Sequence, residues 1–140
     1  MKLSEAIRLG EFALPPIRGK WFKIDDKGKP CGGCAVGRLL FATGYQPTRT
    51  WESWEKMVEH CNDLWPWTQR DYMLAPKGTG CHRLIHQFSG RVHILNCISD
   101  LYEYDKWTLP QIADWIATIE PQDQPVVEEV VDALQTTQAR

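Results

Sequence analysis

Apolar residues recur along this chain mostly at helical spacing, and the polar and turn-forming residues between them mark where each element starts and stops. Leu3, Ile7 and Leu14 form a first stripe; Ser4 is placed to cap that helix, which runs to about Phe12 before Pro15-Pro16 stops it. The next run alternates loosely around Trp21, Phe22 and Ile24 and then reaches Asp25-Asp-Lys-Gly28, a turn signal, so a small β-hairpin is expected near residues 17–30. Cys31-Gly-Gly-Cys34 opens a helix carrying Ala35, Leu39, Leu40 and Ala42, and Gly44 ends it. Its small residues suit close helix packing. Thr50 is read as the cap of a third helix, with Trp51, Trp54, Val58 and Cys61 on one face and Glu52, Glu55, Lys56 and Glu59 facing away.

Trp65-Pro-Trp-Thr68 breaks that helix, and Thr68 with Asp71 can start one more turn. Pro76-Lys-Gly-Thr-Gly80 reads as a loop, and Leu84, Ile85 and Phe88 as a further helical stripe. Residues 91–104 bury Ile94, Leu95, Ile98, Leu101 and Tyr102 as one longer helix, or form a strand over 92–95 followed by a helix; periodicity does not choose. The fullest start signal comes next. Thr108 with Gln111 three residues on is a capping box, Pro110 falls in the first turn, and Trp107 with Ile112 is placed as a hydrophobic staple. Ile112, Trp115, Ile116 and Ile119 are the expected buried face. Glu120-Pro-Gln-Asp-Gln-Pro125 then reads as a linker, Val127, Val130, Val131 and Leu134 as the stripe of an acidic helix, and 135–140 as a frayed tail.

These elements predict a single compact domain over residues 1–140, mainly α-helical with the one small hairpin, an α+β arrangement being the variant. At 140 residues it can bury its own core. A formal charge of −2 argues against general nucleic-acid or anionic-membrane binding. No apolar run is long enough for a membrane span, and the N-terminus lacks the apolar core of a signal peptide, which points to a cytoplasmic setting. Five cysteines are an odd number and leave reduced thiols, a metal site or one nucleophile open. Seven tryptophans exceed ordinary usage; about four of them are expected in the core.

Leu3-Ser-Glu-Ala-Ile-Arg-Leu-Gly10, Cys34-Ala-Val-Gly37 and Trp107-Thr-x-x-Gln-Ile-Ala-Asp-Trp-Ile116 together resemble the signature blocks of a family of small proteins from bacteria and their phages. The blocks stand in the family's order and span most of the chain. The resemblance implies a shared fold and no particular activity. Where that family often has Leu-Asn-Asp-x-His-x-Trp, this chain has Leu101-Tyr-Glu-Tyr-Asp-Lys-Trp107, so Tyr102 and Asp105 replace the family's Asn and His. The family's central Cys-Pro-x-Cys is represented here only by Cys81-His82.

Four groups of residues can carry chemistry. Cys31 and Cys34 at a helix start weakly resemble the nucleophile helix of papain-like cysteine peptidases, since helix N–H groups favour a thiolate; His93 can then serve as base and Asp100 as its orienter. No Gln lies just upstream of Cys31 to build an oxyanion hole, and a small buried thiol is the plainer reading. Cys31, Cys34 and Cys81 with His86 or His82 can make a tetrahedral zinc set, although the second half lacks a clean ligand pair. The turn before Thr108 resembles the first half of a helix-turn-helix, but the helix that would enter DNA carries Glu128, Glu129 and Asp132 and is repelled by phosphates.

The fourth group is a ligand surface of aromatics and cations. Trp21, Phe22, Trp65, Trp67, Tyr72, Tyr102 and Tyr104 stand outside the regular stripes, with Arg18, Lys20, Arg38, Arg70 and Arg83 as anion partners. The function expected is therefore a non-enzymatic binding module for a small anionic or nucleotide-like ligand, or for a protein partner, without a resident cofactor. Arg38, Trp65, Trp67, Tyr102, Tyr104 and Asp105 are its expected binding residues. A phage context would make interference with host defence a natural role. A cysteine hydrolase and a small zinc-binding or helix-turn-helix regulator are the alternatives.

Overall fold

The computed structural model describes residues 1–69, 75–80, 82–83 and 92–122. Within them the chain is mainly α-helical with one two-stranded antiparallel sheet. In order come α1 (Leu3–Ala13), β1 (Phe22–Ile24), β2 (Pro30–Gly33), α2 (Ala35–Ala42), α3 (Trp54–Leu64), a 3₁₀ turn (Pro66–Gln69), α4 (Ile94–Glu103) and α5 (Leu109–Ile119). The expected stripe at Leu84, Ile85 and Phe88, the acidic helix and the 135–140 tail lie outside the described residues.

α1 packs between α2 and α5, and α2 also meets β2 and α4. Leu3, Ile7, Phe22, Leu39, Leu40, Met57, Ile94, Ile98 and Ile112 are wholly buried in one core that these elements share. Close approach is what the small residues are for. A methyl added at Gly10 would stand 3.0 Å from the Leu39 backbone nitrogen, and one at Gly37 only 2.2 Å from the Trp21 carbonyl oxygen. Gly44, with φ at +96°, ends α2 as its sequence implies, and the Tyr45 N–H closes back on the Leu40 carbonyl at 3.0 Å.

The capping box at Thr108 forms: its Oγ1 accepts the Gln111 N–H at 3.2 Å, and Gln111 Oε1 accepts the Thr108 N–H at 2.8 Å. Of the face it was expected to bury, Ile112 and Ile116 are sealed while Trp115 and Ile119 are half-buried, and Leu109 and Ala113 complete the contact. Among the described residues of this stretch, 92–104, the chain is helical over Ile94–Glu103 and there is no strand over 92–95. His93 caps α4, its Nδ1 accepting the Leu95 N–H at 3.1 Å.

Two caps lie elsewhere than expected. Ser4 sits inside the first turn of α1, not before it, and its N–H and hydroxyl are both taken by the Glu120 carboxylate. Ser53, not Thr50, caps α3, accepting the Lys56 N–H at 3.3 Å. Ahead of that cap Glu52 turns inward instead of away: its carboxylate accepts the Thr48 and Arg49 N–H groups and the Tyr45 hydroxyl. That loop displaces Trp51 from the helix and leaves it 59% exposed. The hairpin also runs further than 30, because β2 continues to Gly33, with Gly32 and Gly33 paired to Lys23 and Phe22 and Cys31 at a bulge between the Lys23 and Ile24 pairings; only Cys34 belongs to the helix start. Six of the seven tryptophans are buried in the core or packed against it, more than the four expected.

Candidate anion-binding site

Arg38 projects from the first turn of α2 into the seam where α1, α4 and the α4–α5 connection meet, and it is only 4% exposed. Gly33 makes room for it: a methyl there would stand 3.1 Å from Arg38 Cγ. One Arg38 amino group reaches the Tyr102 hydroxyl at 3.5 Å, a long bond, and its Nε has no hydrogen-bond partner. Among the described residues the ion pair is Arg8 with Asp114, on the surface, so no carboxylate compensates Arg38 there. A buried guanidinium without a counter-charge is costly and uncommon.

Tyr102 holds the arrangement together. Its hydroxyl donates to the Ile17 carbonyl at 3.0 Å, while the Arg18 guanidinium lies over its ring, 4.1 Å from the centroid, and donates to its carbonyl oxygen. Arg38 stands 5.6 Å from the same ring centroid. Two guanidiniums thus converge on one neutral ring. They open into a cavity of about 450 Å³, rimmed by Phe12 and Trp107 and joined by Lys106. Three cations there face a single carboxylate, that of Glu11. Preformed donors, uncompensated positive charge and flanking rings are what a small anion with an aromatic part requires.

The other expected binding residues are dispersed. Trp65 and Trp67 line a different cavity, of about 600 Å³, beside Met1 and Leu64, and the Trp65 indole N–H is spent on the Met1 carbonyl at 2.9 Å. Tyr104 is 77% exposed at a third cleft. Asp105 accepts the Gly80 N–H at 3.0 Å and so anchors the 76–80 loop. Arg18 was legible as an anion partner. Lys106 and Trp107 were not placed with it, because only the left-handed backbone at Lys106, with φ at 59°, turns the connection toward the cavity. Phe22 belongs to the core, and Tyr72, Arg70, Cys81 and His86 lie outside the described residues.

The described members of the cysteine constellation stand on different elements. Cys34 caps α2 as the sequence implies, its sulfur accepting the Gly37 N–H at 3.4 Å, but burial outweighs the helix N–H groups and pushes its thiol up to about 11. It stays a neutral thiol at ordinary pH. Cys61 is raised to about 12 by the same cause. Cys31 is half-buried in β2. His93 lines a groove with Trp54 and Asn62, and its Nε2 stands 2.9 Å from Asn62 Oδ1; Asp100 lines the cleft beside Trp21. Among the described residues no three His, Cys, Asp or Glu side chains are grouped to hold a metal. Cys97 is disulfide-bonded, which leaves the compartment open, since disulfides persist mainly in oxidising ones.

Among the described residues no helix is long and apolar enough to cross a membrane. No family model, curated protein or solved structure matches this chain.

Proposed function

We propose that the chain is a non-enzymatic binding module that takes a small anionic, nucleotide-like ligand in the cavity between Arg18, Arg38 and Tyr102. The carrying observation is Arg38: almost wholly buried, its Nε without a partner and no carboxylate beside it among the described residues. An anion supplies both the missing acceptor and the missing charge. Phe12 and Trp107 at the rim offer ring surface to the remainder of such a ligand. Tyr102, which replaces the Asn of the bacterial and phage family that the sequence blocks resemble, holds the two arginines and makes this site particular to the chain. On that resemblance interference with host defence, by withholding a signalling anion, is the proposed context.

Calorimetric titration with inorganic phosphate and with adenosine monophosphate tests the reading. Saturable binding, tighter for the nucleotide and lost in Arg38→Met, supports it. Absence of binding for both anions, or equal binding by the variant, contradicts it.

A further inference from the structure

Residues 18–21 run from the anion cavity to a separate cleft of about 270 Å³, into which Lys20 and Trp21 face. Trp21 is fixed there on two sides. Its carbonyl accepts the Cys34 N–H at 3.2 Å, and its indole stacks on Trp54, with centroids 5.4 Å apart and planes 27° from parallel. Trp51 meets it edge-on at 6.2 Å and 79°, so the two rings form a corner. Tyr104 stands across the cleft. Trp51 and Tyr104 remain 59% and 77% exposed, a cluster of open aromatic surface that folding alone leaves unfilled.

The cleft also carries an excess of negative charge. Asp100 and Glu103 line it against the single ammonium of Lys20. Glu103 accepts the Gly19 N–H, whereas the Asp100 carboxylate has no hydrogen-bond donor among the described residues. Burial, and then the charge of Asp105, raise the Asp100 carboxyl above its ordinary value, with Arg83 opposing. A cation entering the cleft relieves that penalty.

We infer that this cleft binds an N-alkylated ammonium group, with the rings of Trp21, Trp51 and Tyr104 against its methyl groups and Asp100 and Glu103 balancing its charge. Aromatic rings attract cations through their quadrupole, and a corner of them favours a weakly hydrated ammonium over a strongly hydrated one. An anion is repelled by both carboxylates. A neutral apolar group fills the corner but brings no charge to balance Asp100 and Glu103. A planar guanidinium stacks on one ring and wastes the perpendicular one.

Choline and its uncharged carbon isostere, 3,3-dimethylbutan-1-ol, separate these cases. Titrated into the wild-type protein and followed by the indole N–H signals in NMR, choline shifts the Trp21 and Trp51 signals saturably, and the isostere binds at least about fivefold more weakly. Trp51→Ala and Asp100→Asn each weaken choline by about fivefold; Trp51 lies outside the helices and its loss leaves the fold standing. Failure of choline to shift these signals, equal binding of the isostere, or undiminished binding in Trp51→Ala overturns the assignment. Because Arg38 is not at this cleft, choline binding survives Arg38→Met whether or not the anion site is as proposed.

Discussion

The Glu120 carboxylate accepts both the N–H of Ser4, at 3.1 Å, and its hydroxyl, joining the end of α5 to the first turn of α1 across 116 positions. Both partners are buried, at 6% and 7% exposure. Glu120 thus does for α1 what a local cap does for other helices, satisfying an orphan N–H and setting a negative charge at the positive end of the dipole. Glu120→Ala leaves the Ser4 groups unsatisfied and costs about 1–3 kcal/mol in urea denaturation. The exposed Glu5→Ala change, which removes only the bond to the Lys2 N–H, costs much less. Equal losses in the two variants would sink this assignment.

Gly37→Ala forces a methyl to 2.2 Å from the Trp21 carbonyl oxygen, which already accepts the Cys34 N–H. Neither backbone can retreat without opening the hairpin or shifting α2. The expected cost is about 3 kcal/mol or more, read as a fall in the denaturation midpoint. A neutral result would mean that α2 and the residue before β1 are not packed this closely.

Acid weakens the fold through two named groups. Burial, against the opposing charge of Asp63, holds His60 below its ordinary value, beside Tyr45 and Thr43. Burial alone raises Glu52, but the Tyr45 hydroxyl and the Thr48 and Arg49 N–H groups together hold it lower than usual. Both folded values are depressed, so the unfolded chain takes up protons first as pH falls. Their stabilisation is complete above the unfolded values of 6.5 and 4.5 and is lost as pH falls through the folded ones, His60 first. The urea midpoint should fall from about pH 7 to about pH 5, and His60→Gln should flatten that slope. An unchanged or steeper slope in the variant contradicts the assignment.

What was legible in the sequence was what is local. Thr108 and Gln111 are three residues apart, and both bonds of their box form. The turn at Asp25 is equally local, its carboxylate accepting the Lys27 and Lys29 N–H groups. The misplacements have distant causes. Ser4 looks like a cap until Glu120 arrives from the other end of the chain, and Thr50 looks like one until Glu52 ties up the loop that carries it. Arg38 was legible as an anion partner by type, but its meeting with Tyr102, 64 positions on, is set by packing. For the same reason Trp65, Trp67, Tyr104 and Asp105 could not be sorted among separate clefts from spacing alone.

Arg38 imposes a cost on the empty protein that its replacement removes. Arg38→Met keeps the stem's packing and deletes a buried charge with no carboxylate beside it among the described residues, so the ligand-free variant should gain about 1 kcal/mol or more in urea denaturation. A loss of stability would mean that the guanidinium serves the core, not a ligand.

The most direct measurement of the central claim is the Arg38 Nε–H resonance itself, observed by arginine-selective NMR during titration with inorganic phosphate. The account predicts a saturable shift and slowed solvent exchange for Arg38, with Arg8, paired on the surface, unmoved. A stationary Arg38 signal at phosphate concentrations that perturb surface arginines would contradict it.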